Sequence, residues 1–127
     1  MMMQDPKQFD PQLVLNSIYN GVVAIDETGR ITYFNKTAER IFNLPSHDAI
    51  HRYILDVLQN TGGKLLECLK TGKPFYGEKL KGVTITLVSN INPIVNHGKI
   101  IGAVSVFQDI SEIESISREL DSFKDRN

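Results

Sequence analysis

The side chains that could bind a metal ion or take part in catalysis are few and scattered along the chain. His47 and His51 are four residues apart, a spacing that can place two imidazoles on one helix face and bind a metal ion. A third ligand is missing from this pattern, because Asp48 lies off that face and Cys68 belongs to another segment. His97 falls in a turn pattern and is expected to be solvated. The sequence therefore predicts no metal site.

Catalysis requires convergent groups, such as a nucleophile beside a base, and the sequence does not show such a set. Gly62-Gly63-Lys64 is reminiscent of a phosphate-binding loop, but it has neither the glycine spacing nor the hydroxyl residue of that motif. The chain is consequently not expected to be an enzyme.

The composition indicates one domain from a reducing compartment. The chain has 127 residues, of which 14 are basic and 15 acidic, and a net charge of −1. This balance argues against binding to nucleic acid or to an anionic membrane. The single cysteine, Cys68, suits the cytosol. No run approaches the roughly 20 apolar residues of a membrane span, so we expect a cytoplasmic location.

Periodicity and turn residues divide the chain into short helices and strands. Residues 1–9 have no periodicity and are expected to form a disordered tail. Helices are expected over residues 11–19, 36–43, 46–58 and 64–70, with Asn35 and Ser46 as N-caps and a break at Asn60-Thr61-Gly62-Gly63. Strands are expected over residues 22–26, 30–34, 74–80, 83–88 with a bulged continuation to Pro93, and 100–108.

The last of these strands indicates how the sheet is organised. Residues 100–108 are apolar on both alternations, which predicts a strand buried on both sides near the middle of a sheet. Helices grouped between strand pairs predict an α+β domain, an antiparallel sheet with the helices on one face. The other face is also apolar and needs a cover, either the helix over residues 11–19 or a second subunit.

A final helix follows the central strand almost without a linker. Ser111 and Glu114 have the spacing of a capping box, in which both side chains satisfy amides of the first turn. Beyond it, an apolar stripe has the a/d spacing of a coiled coil and consists of Ile113, Ile116, Leu120 and Phe123. We expect this stripe to form a parallel dimer interface, and the alternative is that it packs back on its own domain.

The order of elements resembles the PAS sensor-domain family of bacterial regulators. The resemblance rests on Gly21 to Asn35, on Ala38-Glu39 and on Gly102 to Ser111, and it covers about residues 13–116. It implies a five-stranded antiparallel sheet with residues 100–108 at its centre and short helices that wall a pocket, between N-terminal and C-terminal flanking helices. The domain is expected over residues 10–111 and the C-terminal linker helix over residues 112–127.

The resemblance also implies a signal relay. PAS domains carry Asp-Ile-Thr at the end of the last strand, and Asp109-Ile110-Ser111 occupies that place here. Asp109 is expected to accept hydrogen bonds that fix how the helix leaves. The alternative is that Asp109 only caps the end of the strand.

The resemblance implies no haem or covalent flavin. Residues 64–70 lack the haem-binding histidine that some PAS domains carry on this helix, and Glu67-Cys68-Leu69 does not match the flavin-reactive motif. A non-covalent small ligand remains compatible with the sequence. The candidate ligand-binding residues are Arg52, Tyr53, Asn90, Asn92 and Ser105. The alternative for each is that it lies on the surface or satisfies hydrogen bonds of the strand ladder.

The sequence as a whole predicts the homodimeric input domain of a bacterial transcription regulator. It would relay binding of a small ligand or partner to a C-terminal effector through the last helix. Two alternatives remain open, the input domain of a sensor histidine kinase and a purely structural dimerisation module without a ligand.

Overall fold

The computed structural model of the chain describes residues 20–125, with side chains described over residues 20–121. The predicted tail and the predicted helix over residues 11–19 lie outside this range. The strands are β1 (Gly21–Asp26), β2 (Ile31–Phe34), β3 (Phe75–Lys81), β4 (Thr86–Asn96) and β5 (Lys99–Asp109). The helices are α1 (Lys36–Phe42), α2 (Ser46–Ala49), a 3-10 turn (Ile54–Asp56), α3 (Gln59–Thr71) and α4 (Ser111–Asp125).

The strands form one antiparallel sheet in the order β2-β1-β5-β4-β3. The central position predicted for residues 100–108 is confirmed, since β5 pairs with β1 on one side and β4 on the other. The helices that precede β3 pack on one face, here called the inner face, and this confirms the predicted α+β class. The pairs β1–β2, β3–β4 and β4–β5 join consecutive strands through turns, which makes them antiparallel, whereas the helical segment connects β2 and β3 at the two edges of the sheet.

The core lies between the inner face and the helices. Phe107 and Ile91 from the sheet are buried together with Ile54 and Leu65 from the helical segment. The prediction that β5 is buried on both sides is wrong. Ala103, Ser105 and Phe107 are buried, whereas Val104 and Val106 on the opposite outer face are only half-buried. Successive side chains alternate between faces, and the helices cover one of them.

Asn35 caps α1 as predicted. Its side-chain oxygen accepts hydrogen bonds from the amides of Ala38 and Val22, both at 2.9 Å. The cap works because the Asn35 backbone is extended while the helical amides above it have no partners of their own. One side chain therefore fixes α1 against β1.

The predicted helix break at Asn60–Gly63 is wrong, and α3 begins at Gln59. A methyl group on Gly62 would lie 3.0 Å from Ile54 Cγ1, so the glycine permits close packing that offsets its low helix propensity. The helix predicted over residues 46–58 is instead interrupted after α2, at His51, which has a φ of 74°. Ser46 is also not an N-cap, because Pro45 holds that position without a side-chain bond.

Strand β4 starts later and runs further than predicted. Gly82 N donates to Ile85 O at 2.7 Å and closes a turn, so residues 83–85 precede the strand. Pro93 lies within β4, opposite Ala103 of β5. It is tolerated because β3 begins at Phe75 opposite Ile91, so β4 has no second neighbour beyond that point. The predicted bulge over Asn90–Pro93 is wrong, because these residues pair with β5 without a shift. The irregularity lies one step further along and on the other strand, where Ile94 pairs with Gly102 and Val95 with Ile100, so that Ile101 of β5 is the extra residue.

The two edges of the sheet are irregular. Along β2, Ile31 N donates to Arg52 O at 2.9 Å and His51 N donates to Ile31 O at 2.8 Å, so the segment after α2 lies on that edge. Strand β3 is bulged between Phe75 and Glu78. Within the bulge, Gly77 has a φ of 62° and its amide donates to Asn90 Oδ1 at 2.8 Å.

Candidate functional site: the junction between the sheet and the exit helix

The start of α4 is hydrogen-bonded to the start of β4. Ile110 N donates to Thr86 O at 2.9 Å, and Thr86 N donates to the Ser111 hydroxyl oxygen at 2.9 Å. These bonds continue the β4–β5 ladder, in which Leu87 faces Asp109, into the first residues of the helix. The first residue of β4 therefore has both of its backbone groups bonded at this junction.

Asp109 accepts a hydrogen bond at this junction, and this bond fits both the relay role and the alternative of a strand-end cap. Its carboxylate oxygen accepts a hydrogen bond from Ser111 N at 2.9 Å, which turns the chain from strand to helix. The predicted capping box is wrong, because the Ser111 hydroxyl binds Thr86 and not an amide of its own helix. The peptide oxygen of Ile110 starts the helix by accepting from Glu114 N at 2.9 Å.

The carboxylate of Glu114 is used between elements. It forms an ion pair with Lys79 of β3 and accepts a hydrogen bond from the Thr86 side chain. These hydrogen bonds, together with the charges of Lys79 and Lys81, hold the pKa of Glu114 below its usual value. Sequence reasoning missed Lys79, because nothing in the local pattern of β3 shows which residue of a distant helix it meets.

The apolar stripe of α4 points away from the described part of the domain. Ile113, Ile116 and Leu120 are 58%, 50% and 58% exposed. The fourth member, Phe123, belongs to α4, but its side chain lies outside the described residues. Packing of these three side chains back on their own domain is therefore not observed, and the dimer interface stays a prediction.

A cavity of about 270 Å³ lies close to this junction. It is bounded by the end of α1, the segment from the 3-10 turn to the start of α3, and the β3–β4 turn. Most of its lining is apolar and includes Phe42, Val57, Leu58, Leu80, Ile85 and Leu87. Polar groups come from Gln59, Asn60, Thr61 and Thr84. None of the five predicted ligand-binding residues lines it.

Those five residues occupy separate places. Arg52 is exposed and donates to Asp56 O at 3.4 Å, and Tyr53 pairs with Arg30 beside the β2 edge. Asn90 and Asn92 lie on the outer face, where their side-chain oxygens accept from Gly77 N and the Tyr76 hydroxyl. Ser105 points to the inner face.

The expectation that these residues share one pocket is therefore wrong, because the sheet stands between Ser105 and the two asparagines. Asn90 pairs with Val106 and Asn92 with Val104, the neighbours of Ser105 on β5. Side chains of adjacent residues in a strand leave on opposite faces. Ligand binding by any one of the five stays a prediction.

Two buried hydroxyl groups lie on the inner face. Ser105 and Ser89 are both fully buried, and neither hydroxyl has a hydrogen-bond partner within the described part of the chain. The sequence did not single out Ser89. Its spacing of two residues from Leu87 and from Ile91 could have placed it on the same face of the strand as these apolar residues. Cys68 is buried in the same core, where burial raises the pKa of its thiol and keeps it protonated.

The two candidate metal ligands are not brought into a cluster. His47 is in α2 with its imidazole 3.5 Å from Asp48, whereas His51 follows that helix with positive φ. Among residues 20–125, no three His, Cys, Asp or Glu side chains are placed to hold a metal ion. In the same range, no helix has the length and apolar character needed to span a membrane.

The fold and the junction together define a small α+β domain whose central strand leads into an exit helix. The chain belongs to the PAS family: a family model described as the PAS fold matches residues 10–110. This confirms the resemblance seen in the sequence and agrees with the strand order and the one-sided helices described above.

Relatives with this domain are sensors and activators. Sensor protein CitS of Halalkalibacterium halodurans is 34% identical over 115 residues, which is 89% of this chain and 21% of that protein. Transcriptional activator RocR of Bacillus subtilis is 30% identical over 116 residues, 85% of this chain and 25% of that protein. The chain thus spans about a fifth to a quarter of the length of these curated relatives.

Solved structures show the same fold. Histidine kinase ThkA, in its crystal structure with response regulator protein TrrA, matches with a TM-score of 0.75 and 21% identity, over 87% of this chain and 34% of that chain. At this level of identity the match establishes the fold alone. The relatives above identify the chain as a PAS sensory domain of the kind found in sensor proteins and in a transcriptional activator.

Proposed function

We propose that this chain is the cytoplasmic input domain of a bacterial signalling protein and relays the state of its sheet to a C-terminal effector through α4. The observation that carries this proposal is the pair of hydrogen bonds that join the backbone of Thr86 to Ile110 N and to the Ser111 hydroxyl, at the start of α4. Moving the start of β4 relative to β5 would break bonds made by Ile110 and Ser111. A displacement of the strand would therefore change the direction in which the helix leaves.

Two kinds of effector are supported by the relatives. RocR is a transcriptional activator, which favours the transcription regulator. Sensor histidine kinase DcuS of Escherichia coli, 31% identical over 87% of this chain, favours a kinase. We propose the regulator as the first reading and the kinase as the second. The sequence of the effector in the natural protein distinguishes them, because a kinase core and an activator domain carry different motifs.

We further propose that the domain acts as a homodimer with α4 of two copies in parallel. The exposed residues Ile113, Ile116 and Leu120 are spaced by three and four positions, which is the a/d spacing of a coiled-coil seam. Fewer than two heptads do not hold a dimer in isolation. A contribution from the outer face of the sheet is therefore part of this proposal.

A small non-covalent ligand is the input that we propose. The cavity beside the β3–β4 turn has a mainly apolar lining with a few polar groups, which is the usual composition of a small-molecule site. Its volume of about 270 Å³ lies near the lower end of such sites. Without any ligand, the domain would be the purely structural dimerisation module that stands as the alternative.

The relay can be tested by placing this chain in RocR, in place of the segment it matches, and measuring transcription of a reporter gene. We expect Asp109→Ala and Ser111→Ala to change reporter output, because each removes a bond at the junction. Ser115→Ala is the matched control, since Ser115 is exposed in the same helix. Equal output from all three variants, with protein levels unchanged, would overturn the proposed function.

A further inference from the structure

The hairpin of β3 and β4 contacts the cavity with one face and the exit helix with the other. Leu80 lines the cavity, and the preceding residue of β3, Lys79, pairs with Glu114 on the outer side. The same alternation holds on β4, where Leu87 lines the cavity and the side chain of Thr86 bonds to Glu114. Alternation of side chains along a strand makes this arrangement possible.

This hairpin also includes an edge of the sheet. Strand β3 is bonded only to β4 and is interrupted by the bulge at Gly77. At the other end, the turn is closed by one backbone bond from Gly82 to Ile85, and Asn60 Nδ2 donates to Lys81 O at 3.3 Å. Apart from the Lys79–Glu114 pair, β3 is held by β4 and by side chains of α3, so it can shift without breaking a bond of β1 or β5.

We propose that Lys79 and Glu114 form an ionic latch that holds α4 in one orientation, and that the β3–β4 hairpin releases this latch when the cavity is filled. This inference rests on the proposed function and deepens it, because it names the residues through which the cavity controls the exit helix. The latch is separate from the bonds that join Thr86 to Ile110 and Ser111. Those bonds attach the helix to the backbone of β4, whereas the latch attaches it to a side chain of β3.

The latch can be tested by hydrogen exchange at the amides of residues 112–115 in the intact chain. Lys79→Met removes the charge but keeps an apolar stem, and Glu114→Gln removes the opposite charge. We expect either change to accelerate exchange by on the order of two- to fivefold, the range for a partly exposed ion pair. High salt should act in the same direction in the wild-type chain and have less effect in both variants.

The chain offers a matched control on the same strand. Lys64 of α3 pairs with Glu78 of β3 at 3.2 Å, so Lys64→Met removes an ion pair of β3 that does not touch α4. We expect this variant to leave exchange at residues 112–115 unchanged. The charge-exchanged double variant, Lys79→Glu with Glu114→Lys, should restore slow exchange.

The coupling to the cavity is tested by filling it from the helical side. Val57 lines the cavity, and Val57→Phe should accelerate exchange at residues 112–115 in the wild-type background but have no further effect in Lys79→Met. If Val57→Phe does not unfold cooperatively, Val57→Leu replaces it. Unchanged exchange in the variant that folds overturns the coupling.

The outcomes separate this inference from the proposed function. If Lys79→Met and Lys64→Met behave alike in exchange while Ser111→Ala changes reporter output, the latch is wrong and the relay stands. If Lys79→Met accelerates exchange but no junction variant changes reporter output, the latch exists as a contact without a signalling role. The proposed function is then overturned as well.

Discussion

Val22 and Asn35 are joined by a buried hydrogen bond of 2.9 Å, in which the Val22 amide donates to the side-chain oxygen of Asn35. The same oxygen accepts from Ala38 N, and the Asn35 side-chain amide donates to Asn20 O at 2.9 Å. A single side chain therefore serves strand β1, the N-terminus of α1 and the residue before β1. Few positions in the described chain satisfy so many backbone groups at once.

Asn35→Ala should consequently destabilise the fold by about 2–3 kcal/mol, because it leaves buried amides without an acceptor. Urea unfolding monitored by circular dichroism measures the change. Asn35→Asp is the informative companion, since it keeps the acceptor and loses the donor to Asn20. A loss below about 0.5 kcal/mol in Asn35→Ala would contradict this role.

The turn after β1 predicts a pH dependence centred on Asp26. Burial alone would raise the pKa of Asp26. Its carboxylate accepts hydrogen bonds from the Thr28 hydroxyl and from the amides of Arg30 and Thr28, and it lies near the charge of Arg30. These interactions outweigh burial and lower the pKa. A folded pKa below the unfolded value of about 3.9 means that the carboxylate stabilises the fold at neutral pH. That contribution is lost as the pH falls through the unfolded value towards the folded one.

Asp26→Asn should therefore be less stable than the wild type at pH 7, by about 0.5–1 kcal/mol for this half-buried group. The difference between the two proteins should shrink as the pH falls from 5 towards 3. Thermal unfolding at several pH values measures it. A constant difference across this range would show that the loss comes from shape and not from charge.

The unpartnered hydroxyls of Ser89 and Ser105 predict an unusual gain. Each hydroxyl was removed from water without a hydrogen bond in the described residues, which costs about 1–3 kcal/mol. Ser89→Ala and Ser105→Ala should each leave stability unchanged or raise it by about 1 kcal/mol in chemical denaturation. A clear loss in either variant would instead reveal a buried water or ligand bonded to that hydroxyl.

The two adjacent glycines of α3 are expected to respond differently to substitution by alanine. A methyl group on Gly63 would meet nothing within 4 Å, so Gly63→Ala should stabilise the helix by about 0.5–1 kcal/mol. Gly62→Ala should gain less or lose stability, because its methyl group would lie 3.0 Å from Ile54. Thermal melting of the pair distinguishes the packing role of Gly62 from propensity alone.

Ile116→Asp tests the seam proposed for α4. Ile116 is half exposed in the single chain, so the substitution should not unfold the domain but should shift sedimentation towards the monomer. Ser115→Asp introduces the same charge one position away, outside the stripe, and should leave the distribution unchanged. A fully dimeric Ile116→Asp protein would falsify the parallel helix seam.

Much of the fold could be predicted because its signals are local. The central position of β5 was predicted correctly from its apolar run, although only one face of the strand is fully buried. The cap at Asn35 followed from one residue type at the end of a strand. The start of α3 could not, since the low helix propensity of Gly62 is outweighed by a contact with Ile54 that only the tertiary structure reveals.

The candidate site was harder to predict, because it depends on register. The sequence identified Asp109 and Ser111, but the partner of Ser111 is an amide of β4 and not one of its own helix. Asn90, Asn92 and Ser105 are all polar positions in neighbouring strands, and only the pairing of Ile91 with Ser105 shows that they face opposite sides. The Lys79–Glu114 ion pair has no local signature at all.

The irregular edges of the sheet limit how copies of this domain can associate. The β2 edge is occupied by backbone bonds to His51 and Arg52, and the β3 edge is kinked by the bulge at Gly77. A regular, unoccupied edge would invite strand addition from a neighbouring molecule and open-ended growth. Because both edges are irregular or occupied in this way, strand addition is disfavoured, and the homodimer proposed above would form through the outer face and α4 as a closed assembly of two copies.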